Sequence, residues 1–463
     1  MDIVDSQEPD VQVIPDEVYD KYTPRRKAVM VALLSYCAFL PSISSTSTLS
    51  ATPEIAAEFH TTGPIINVSS ALYILMMGLS PMVWGPLSQV FGRRIITLVT
   101  ASVFLICSIA TALAPEIVSF FVLRLLTALA GMALILAGSA VISDIYCPVQ
   151  RGMATGWLLS GMLVGPAFGP FLSGVIVTFV SWRIIFWVQT GLAGTALIGV
   201  YFILPETIHH RKLDDLHGYS RKEKALSIMR MINPWRVLKL WRYPNVVFTG
   251  LASAAILWNM YGLLAPIRYV LNPRYGLETP LQSGLFYLAP GLGYLIGTLF
   301  GGRFADYTVK RYIKKRGVRV PEDRLRSAVP FMLVIAVCIL IYGWTVEKAV
   351  GGIPLTVIVM FIQGVAQLFC FPSLNAYCLD VMPGRSGEVI AANFTMRYLF
   401  ATISTAVVLP AIEAIGVGWF STITFFLLLA TTAGVVLTIH FGQRMREKID
   451  VKETEKAKEA DHV

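Results

Sequence analysis

Long stretches of this chain are apolar with almost nothing ionisable in them, and its few charges gather in short runs between those stretches. An α-helix needs roughly 20 apolar residues to cross a bilayer. Segments of that kind fall at about 28–48, 63–84, 95–114, 118–142, 153–177, 184–204, 246–266, 281–301, 328–345, 353–376, 388–410 and 419–440. The pattern predicts an all-α membrane protein of twelve transmembrane helices. The longest connector lies between the sixth and seventh and carries His209, His210, Arg211, Lys212, Lys222, Lys224, Arg236 and Arg242. This divides the chain into an N-terminal tail (1–27), a six-helix bundle (28–205), a linker (206–245), a second six-helix bundle (246–440) and a C-terminal tail (441–463).

Composition agrees with the pattern. Of 463 residues 55% are hydrophobic and 14% charged, against about a quarter charged in an ordinary soluble domain. A formal charge of +9 would suit nucleic acid if it formed one basic stripe, but here Lys and Arg collect in alternate connectors. Only Arg183, Arg268, Arg274 and Lys348 fall in the other set, with Arg124 and Arg397 inside helices. The positive-inside rule then predicts that both termini are cytoplasmic, and no nucleic-acid partner is implied. Residues 1–24 are polar and acidic without an apolar core, so no signal peptide is predicted. The six cysteines (Cys37, Cys107, Cys147, Cys338, Cys370, Cys378) avoid the predicted outer loops, and no disulfide framework follows.

The halves repeat. Gly85, Gln89, Arg93 and Arg94 follow the second predicted helix, and Gly302, Asp306, Lys310 and Arg311 follow the eighth at the same spacing. Asp144 and Arg151-Gly152 after the fourth are echoed by Asp380, Arg385 and Gly387 after the tenth. Duplicated halves are a mark of transporter folds.

The run Gly85-Pro-Leu-Ser-Gln89-Val-Phe-Gly92-Arg93-Arg94 resembles the major facilitator signature between helices two and three, with Gln89 in place of the usual acid and Val309 in place of the second copy's glycine. The resemblance implies that Gly85, Gln89, Gly92, Arg93, Arg94, Asp144, Arg151, Asp306, Lys310, Arg311, Asp380 and Arg385 work a gate on the cytoplasmic side. A plain basic turn at a helix end is the competing reading. Gly161-Met-Leu-Val-Gly165-Pro166-Ala-Phe-Gly169-Pro170 resembles the fifth-helix motif of drug:proton antiporters. Small residues every four positions let helix backbones touch, and the prolines bend the helix; a generic packing seam is the alternative. Trp84-Gly85-Pro86-Leu87, Ser143-Asp144-Ile145-Tyr146, Ser181-Trp182-Arg183 and Leu204-Pro205-Glu206-Thr207 carry the likeness along nearly the whole chain. Ser283–Gly291, Arg311–Gly317 and Pro321–Leu325 are similar to fungal exporters of itaconate and related small carboxylates.

A cation inside a membrane helix is costly unless it faces water or a partner, so Arg124 in the fourth helix and Arg397 in the eleventh are expected to face a central cavity; a structural arginine bound to backbone carbonyls is the alternative for Arg124. No Asp or Glu lies within the central parts of the twelve helices. A cavity with deep cations and no deep anions favours an anionic solute. Trp258, Asn259 and Tyr261 in the seventh helix, Gln363 and Gln367 in the tenth and Asn393 in the eleventh are further lining candidates, each also explicable as helix packing. The sequons at Asn67 and Asn393 sit in or against membrane helices and are not read as glycosylated. His440, His209 and His210 look interfacial.

No metal cluster, nucleophile constellation or phosphate-cradling loop appears, so neither enzyme activity nor a cofactor is expected. The expectation is a monomeric plasma-membrane exporter of a small organic acid, with protons as a possible partner. Proton-coupled efflux of drugs or toxic metabolites is the main alternative, and a sensor that kept the fold the third.

Overall fold

The computed structural model describes residues 21–146, 151–208, 234–277, 279–317, 320–382 and 386–461. Among them the long helices are α1 (Pro24–Thr46), α2 (Gly63–Phe91), α3 (Arg93–Ala112), α4 (Ile117–Ile145), α5 (Arg151–Phe179), α6 (Arg183–Ile203), α7 (Pro244–Leu264), α8 (Leu288–Arg316), α9 (Val329–Lys348) and α10 (Gly352–Asp380). A last helical stretch, Ser386–Asp461, breaks at Gly416 (φ 82°, ψ 165°) into α11 (386–415) and α12 (417–461). Among the described residues twelve crossings put the start of α1 and the end of α12 on one face, here the terminal face; the opposite one is the far face. Ile106, Phe202, Leu299 and Phe426 are exposed on the outer surface of the bundle, where lipid tails solvate them.

Local chemistry sets the helix ends. Thr23 accepts from the Arg26 amide ahead of Pro24 at the first turn of α1, the favoured order of cap and proline. At Gly416 the carboxylate of Glu347 accepts from the amide of Val417 at 2.9 Å, an acid placed where the helix dipole is positive. Gly92 turns the chain between α2 and α3 at φ 100°, a left-handed conformation that glycine adopts without steric cost.

The second copy of that segment behaves differently. The expected eighth span, 281–301, begins as a short helix, Pro280–Phe286, and α8 then runs on to Arg316, ending at Gly317 (φ 78°). Val309 stands where Gly92 does and keeps the helix going, so Asp306, Lys310 and Arg311 lie on a helix and not in a loop. The expected tail from 441 likewise begins as a continuation of α12. Further unpredicted pieces are a helix over Thr52–Glu58 and, after α7, a π-helical turn over Ile267–Leu271.

Within the first half α1 packs on α5, and within the second α8 packs on α10. The halves meet mainly through α2 against α11 and α5 against α8. Thr395 on α11 donates to the Gly78 carbonyl on α2 at 2.9 Å, and a Cβ on Gly291 of α8 would stand 2.8 Å from that of Ala167 on α5. Small residues set both approaches.

Candidate functional site

Arg124 and Arg397 are the two largest fully buried side chains, with 1% and 0% of their surface exposed. Each comes from a different half, and each lies against aromatic rings. The Arg124 guanidinium carbon is 4.9 Å from the centre of Tyr73 and 5.6 Å from Phe120. That of Arg397 is 4.5 Å from Phe394, 4.9 Å from Phe371 and 5.6 Å from Tyr398. All three guanidinium nitrogens of Arg124, and Nε and Nη1 of Arg397, have no hydrogen-bond partner, while Arg397 Nη2 contacts Met162 Sδ at 3.6 Å. Among the described residues no carboxylate pairs with either. Ring faces attract a cation but accept few of its hydrogen bonds, so both groups keep directional donors unpaired.

The other lining candidates are buried as well. Tyr261 reaches across to α1, where its hydroxyl and that of Ser45 are 3.3 Å apart. Asn393 donates to Ser253 Oγ at 3.4 Å and Cys378 Sγ at 3.3 Å, leaving its carbonyl oxygen without a partner. Both side-chain atoms of Asn259, and the carbonyl oxygens of Gln363 and Gln367, are also buried without partners. Trp258 is different: its indole donates to Thr424 at 3.2 Å and stacks on Phe420, which ties it to α12.

At the terminal face, Arg93 joins three elements of the first half. Its Nε meets Asp144 Oδ2 at 3.2 Å, its Nη1 donates to Ser88 at 2.6 Å, and its amide donates to Glu206 Oε1 at 2.8 Å. Thr207 donates to Asp144 at 3.2 Å, and a Cβ on Gly92 would collide with the Glu206 carboxylate. Arg94 donates to the Tyr201 carbonyl at 2.7 Å, and Arg151 to those of Tyr146 (2.9 Å) and Ser143 (2.7 Å). Gln89 is half-buried, and Gly85 faces open space.

In the second half the place of Arg93 is taken by Arg324, which holds Asp380 at 2.6 Å and Asp306 at 3.6 Å. Sequence spacing had matched Lys310 and Arg311 to Arg93 and Arg94, but both are exposed. The reason is the uninterrupted α8: with no turn at Val309, the cation that reaches Asp380 comes from the segment before α9. Arg385, His209, His210 and Cys147 lie outside the described residues.

This duplicated cation–carboxylate pairing, on two six-helix halves, accompanies a match of the Major Facilitator Superfamily profile to residues 34–405. The chain belongs to that superfamily. It is therefore a multi-pass membrane transporter and not an enzyme. The MFS-type transporter phiD of Fungal sp. (strain ATCC 74256) is 26% identical to it over 96% of this chain and 72% of the relative. The efflux pump radE of Floropilus chiversii is 27% identical over 96% of this chain and 85% of the pump. The crystal structure of the human organic anion transporter MFSD10 (TETRAN) matches with a TM-score of 0.70 and 14% identity, covering 89% of this chain and 100% of that one. At that identity the likeness is one of fold.

In this major facilitator transporter an ion pair crosses between the halves at the far face. Arg268, on the π-helical turn, meets both carboxylate oxygens of Glu54 at 2.9 and 3.1 Å and also donates to the Ser50 carbonyl. Beside it Tyr269 Oη lies 2.9 Å from where a Cβ on Gly63 would sit. No sequence signal singled out this latch, because its residues come from opposite halves. Glu54→Gln is expected to raise labelling of a cysteine introduced by Thr48→Cys, with an impermeant maleimide applied at the far face, by up to about five-fold, the equivalent of ~1 kcal/mol for a part-exposed pair. An unchanged rate would show that the pair does not hold this face shut.

Proposed function

We propose that this transporter exports a small organic acid, an itaconate-like dicarboxylate, by alternating access, with Arg124 and Arg397 pairing with its carboxylates. The observation that carries this reading is the pair of buried guanidinium groups, one from each half, with unpartnered N–H groups and, among the described residues, no carboxylate to neutralise them. A ligand carboxylate supplies both charge and paired acceptors for such a group. Because the two cations belong to different lobes, a dianion that reached both would hold the halves together and favour the closed intermediate between the outward and inward states. Asn259, Tyr261, Gln363, Gln367 and Asn393 complete the lining. The paired networks around Asp144 and Asp380, with the glycines and prolines of α5, carry the movement. The bias of Lys and Arg toward the terminal face supports cytoplasmic termini in a plasma-membrane protein, acting as a monomer.

A second reading, proton-coupled efflux of hydrophobic drugs or metabolites, draws on the aromatic walls around both arginines and on the likeness to the efflux pump radE. Purified protein in lipid vesicles separates the two. Saturable uptake of labelled itaconate, about ten-fold above protein-free vesicles at an initial-rate time point, is expected. Movement of hydrophobic dyes with no uptake of any dicarboxylate would replace the first reading with the second. Repeating the assay with and without a pH gradient tests proton coupling.

A further inference from the structure

Three of the lining amides stand on two helices, Asn259 on α7 and Gln363 and Gln367 on α10. Helices α7 and α10 run in opposite directions, and Asn245 Nδ2 donates to Tyr377 Oη at 3.0 Å near the terminal face, which fixes their register. Asn259 lies fourteen residues beyond Asn245, and Gln363 fourteen residues before Tyr377. Fourteen residues make close to four turns and about 21 Å of rise. Both side chains therefore fall on nearly the same side of their helices as the bonded pair and at a similar depth, with Pro372 interrupting the ladder of α10 between Gln363 and Tyr377. A second contact pins that face of α10: Thr356, seven residues before Gln363, meets Tyr275 Oη at 2.8 Å on the segment that follows α7. Gln363, Gln367 and Phe371 then descend α10 at four-residue steps of about 6 Å each, and Phe371 is one of the rings against Arg397.

Asn259, Gln363 and Gln367 are exposed by only 1%, 2% and 1%. Among them Asn259 Oδ1 and Nδ2, Gln363 Oε1 and Gln367 Oε1 have no partner. Leaving buried amide groups unsatisfied costs about 1–3 kcal/mol each, so a polar ligand group that bonded to them would be stabilised. An amide both donates and accepts and carries no charge, which matches a hydroxyl group better than it matches a carboxylate.

We propose that Asn259, Gln363 and Gln367 form an uncharged subsite, one to two helical turns from Arg397 toward the far face, which binds a hydroxyl group of the transported acid. The inference rests on the organic-acid reading and narrows it: hydroxylated acids fill both parts of the site, whereas itaconate and other plain dicarboxylates fill only the charged part.

The test is competition against labelled itaconate uptake in lipid vesicles holding the full-length protein, with paired acids that differ by one hydroxyl: malate against succinate, and citramalate against methylsuccinate. The hydroxylated member of each pair is expected to half-inhibit at about ten-fold lower concentration, the size of one buried hydrogen bond. In Asn259→Leu, Gln363→Met and Gln367→Met, which keep shape and remove the amide, the ratio within each pair is expected to fall toward one; reading a ratio cancels any change in affinity common to both members. Equal inhibition by both members in the unaltered protein overturns the subsite without needing any variant, and so does a ratio that survives all three substitutions. If no dicarboxylate is taken up, the organic-acid reading fails and the subsite falls with it; itaconate uptake without hydroxyl preference sinks the subsite alone.

Discussion

Arg124→Ala and Arg124→Gln are each expected to lower transport at least about 100-fold while the protein still reaches the membrane and unfolds at the same temperature or higher. Hydrogen bonds to charged groups contribute about 1.5–3 kcal/mol each, and Arg124 has three nitrogens free to make them, so losing two to a carboxylate accounts for that factor. Stability should move the other way. Removing one member of a buried ion pair destabilises a protein because it strands the other charge, but Arg124 has no such partner among the described residues. Its removal takes an uncompensated cation out of the interior. Arg397→Ala should behave alike, apart from the loss of packing against Phe371, Phe394 and Tyr398. Thermal unfolding of purified variants and uptake in vesicles measure the two quantities separately. A fall in unfolding temperature with transport retained would make Arg124 a structural residue and remove it from the site.

The features legible in the sequence are those that the bilayer forces on a single helix. A span must be apolar for about twenty residues, so the crossings could be counted. A cation within a span has to face inward, so Arg124 and Arg397 could be chosen without knowing what surrounds them. What could not be read depends on which helices meet. Tyr73, Phe371, Phe394 and Tyr398 are ordinary aromatic positions in apolar helices, and only packing makes them the walls of the two guanidinium sites. Arg324 was hidden by a misleading repeat, because equal spacing at Lys310 and Arg311 outweighed the absence of a glycine at Val309. Glu206 looked like the end of a family motif, yet its carboxylate caps the start of α3 through the Arg93 amide. Asn259 and Gln363 are far apart in the chain, and it is the Asn245–Tyr377 bond that shows their helices to meet.

Gly165→Leu is expected to abolish the folded protein, whereas the same change at Gly85 should leave folding intact and slow transport. On α5 a Cβ at Gly165 would stand 2.6 Å from Ser42 Cβ and 2.7 Å from the Ile43 amide nitrogen, and one at Gly169 would lie 2.7 Å from Thr46 Oγ1. A Cβ at Gly161 would run into the Ser35 carbonyl. These contacts are largely with the backbone of α1, which cannot swing aside as a side chain does, so the helices would have to separate along their length. Overpacking at one site costs about 1–3 kcal/mol, and parting a seam built on close backbone approach forfeits the packing of its neighbours as well. Gly85 meets nothing within 4 Å, and the Arg268–Glu54 pair joins the halves at the far face. A larger residue at 85 therefore fits this state and obstructs the one in which the terminal side shuts. Size-exclusion profiles and unfolding temperatures should separate Gly165→Leu from the unaltered protein and leave Gly85→Leu indistinguishable from it, with the defect of Gly85→Leu confined to turnover. A folded, active Gly165→Leu would mean that α1 and α5 do not depend on that approach.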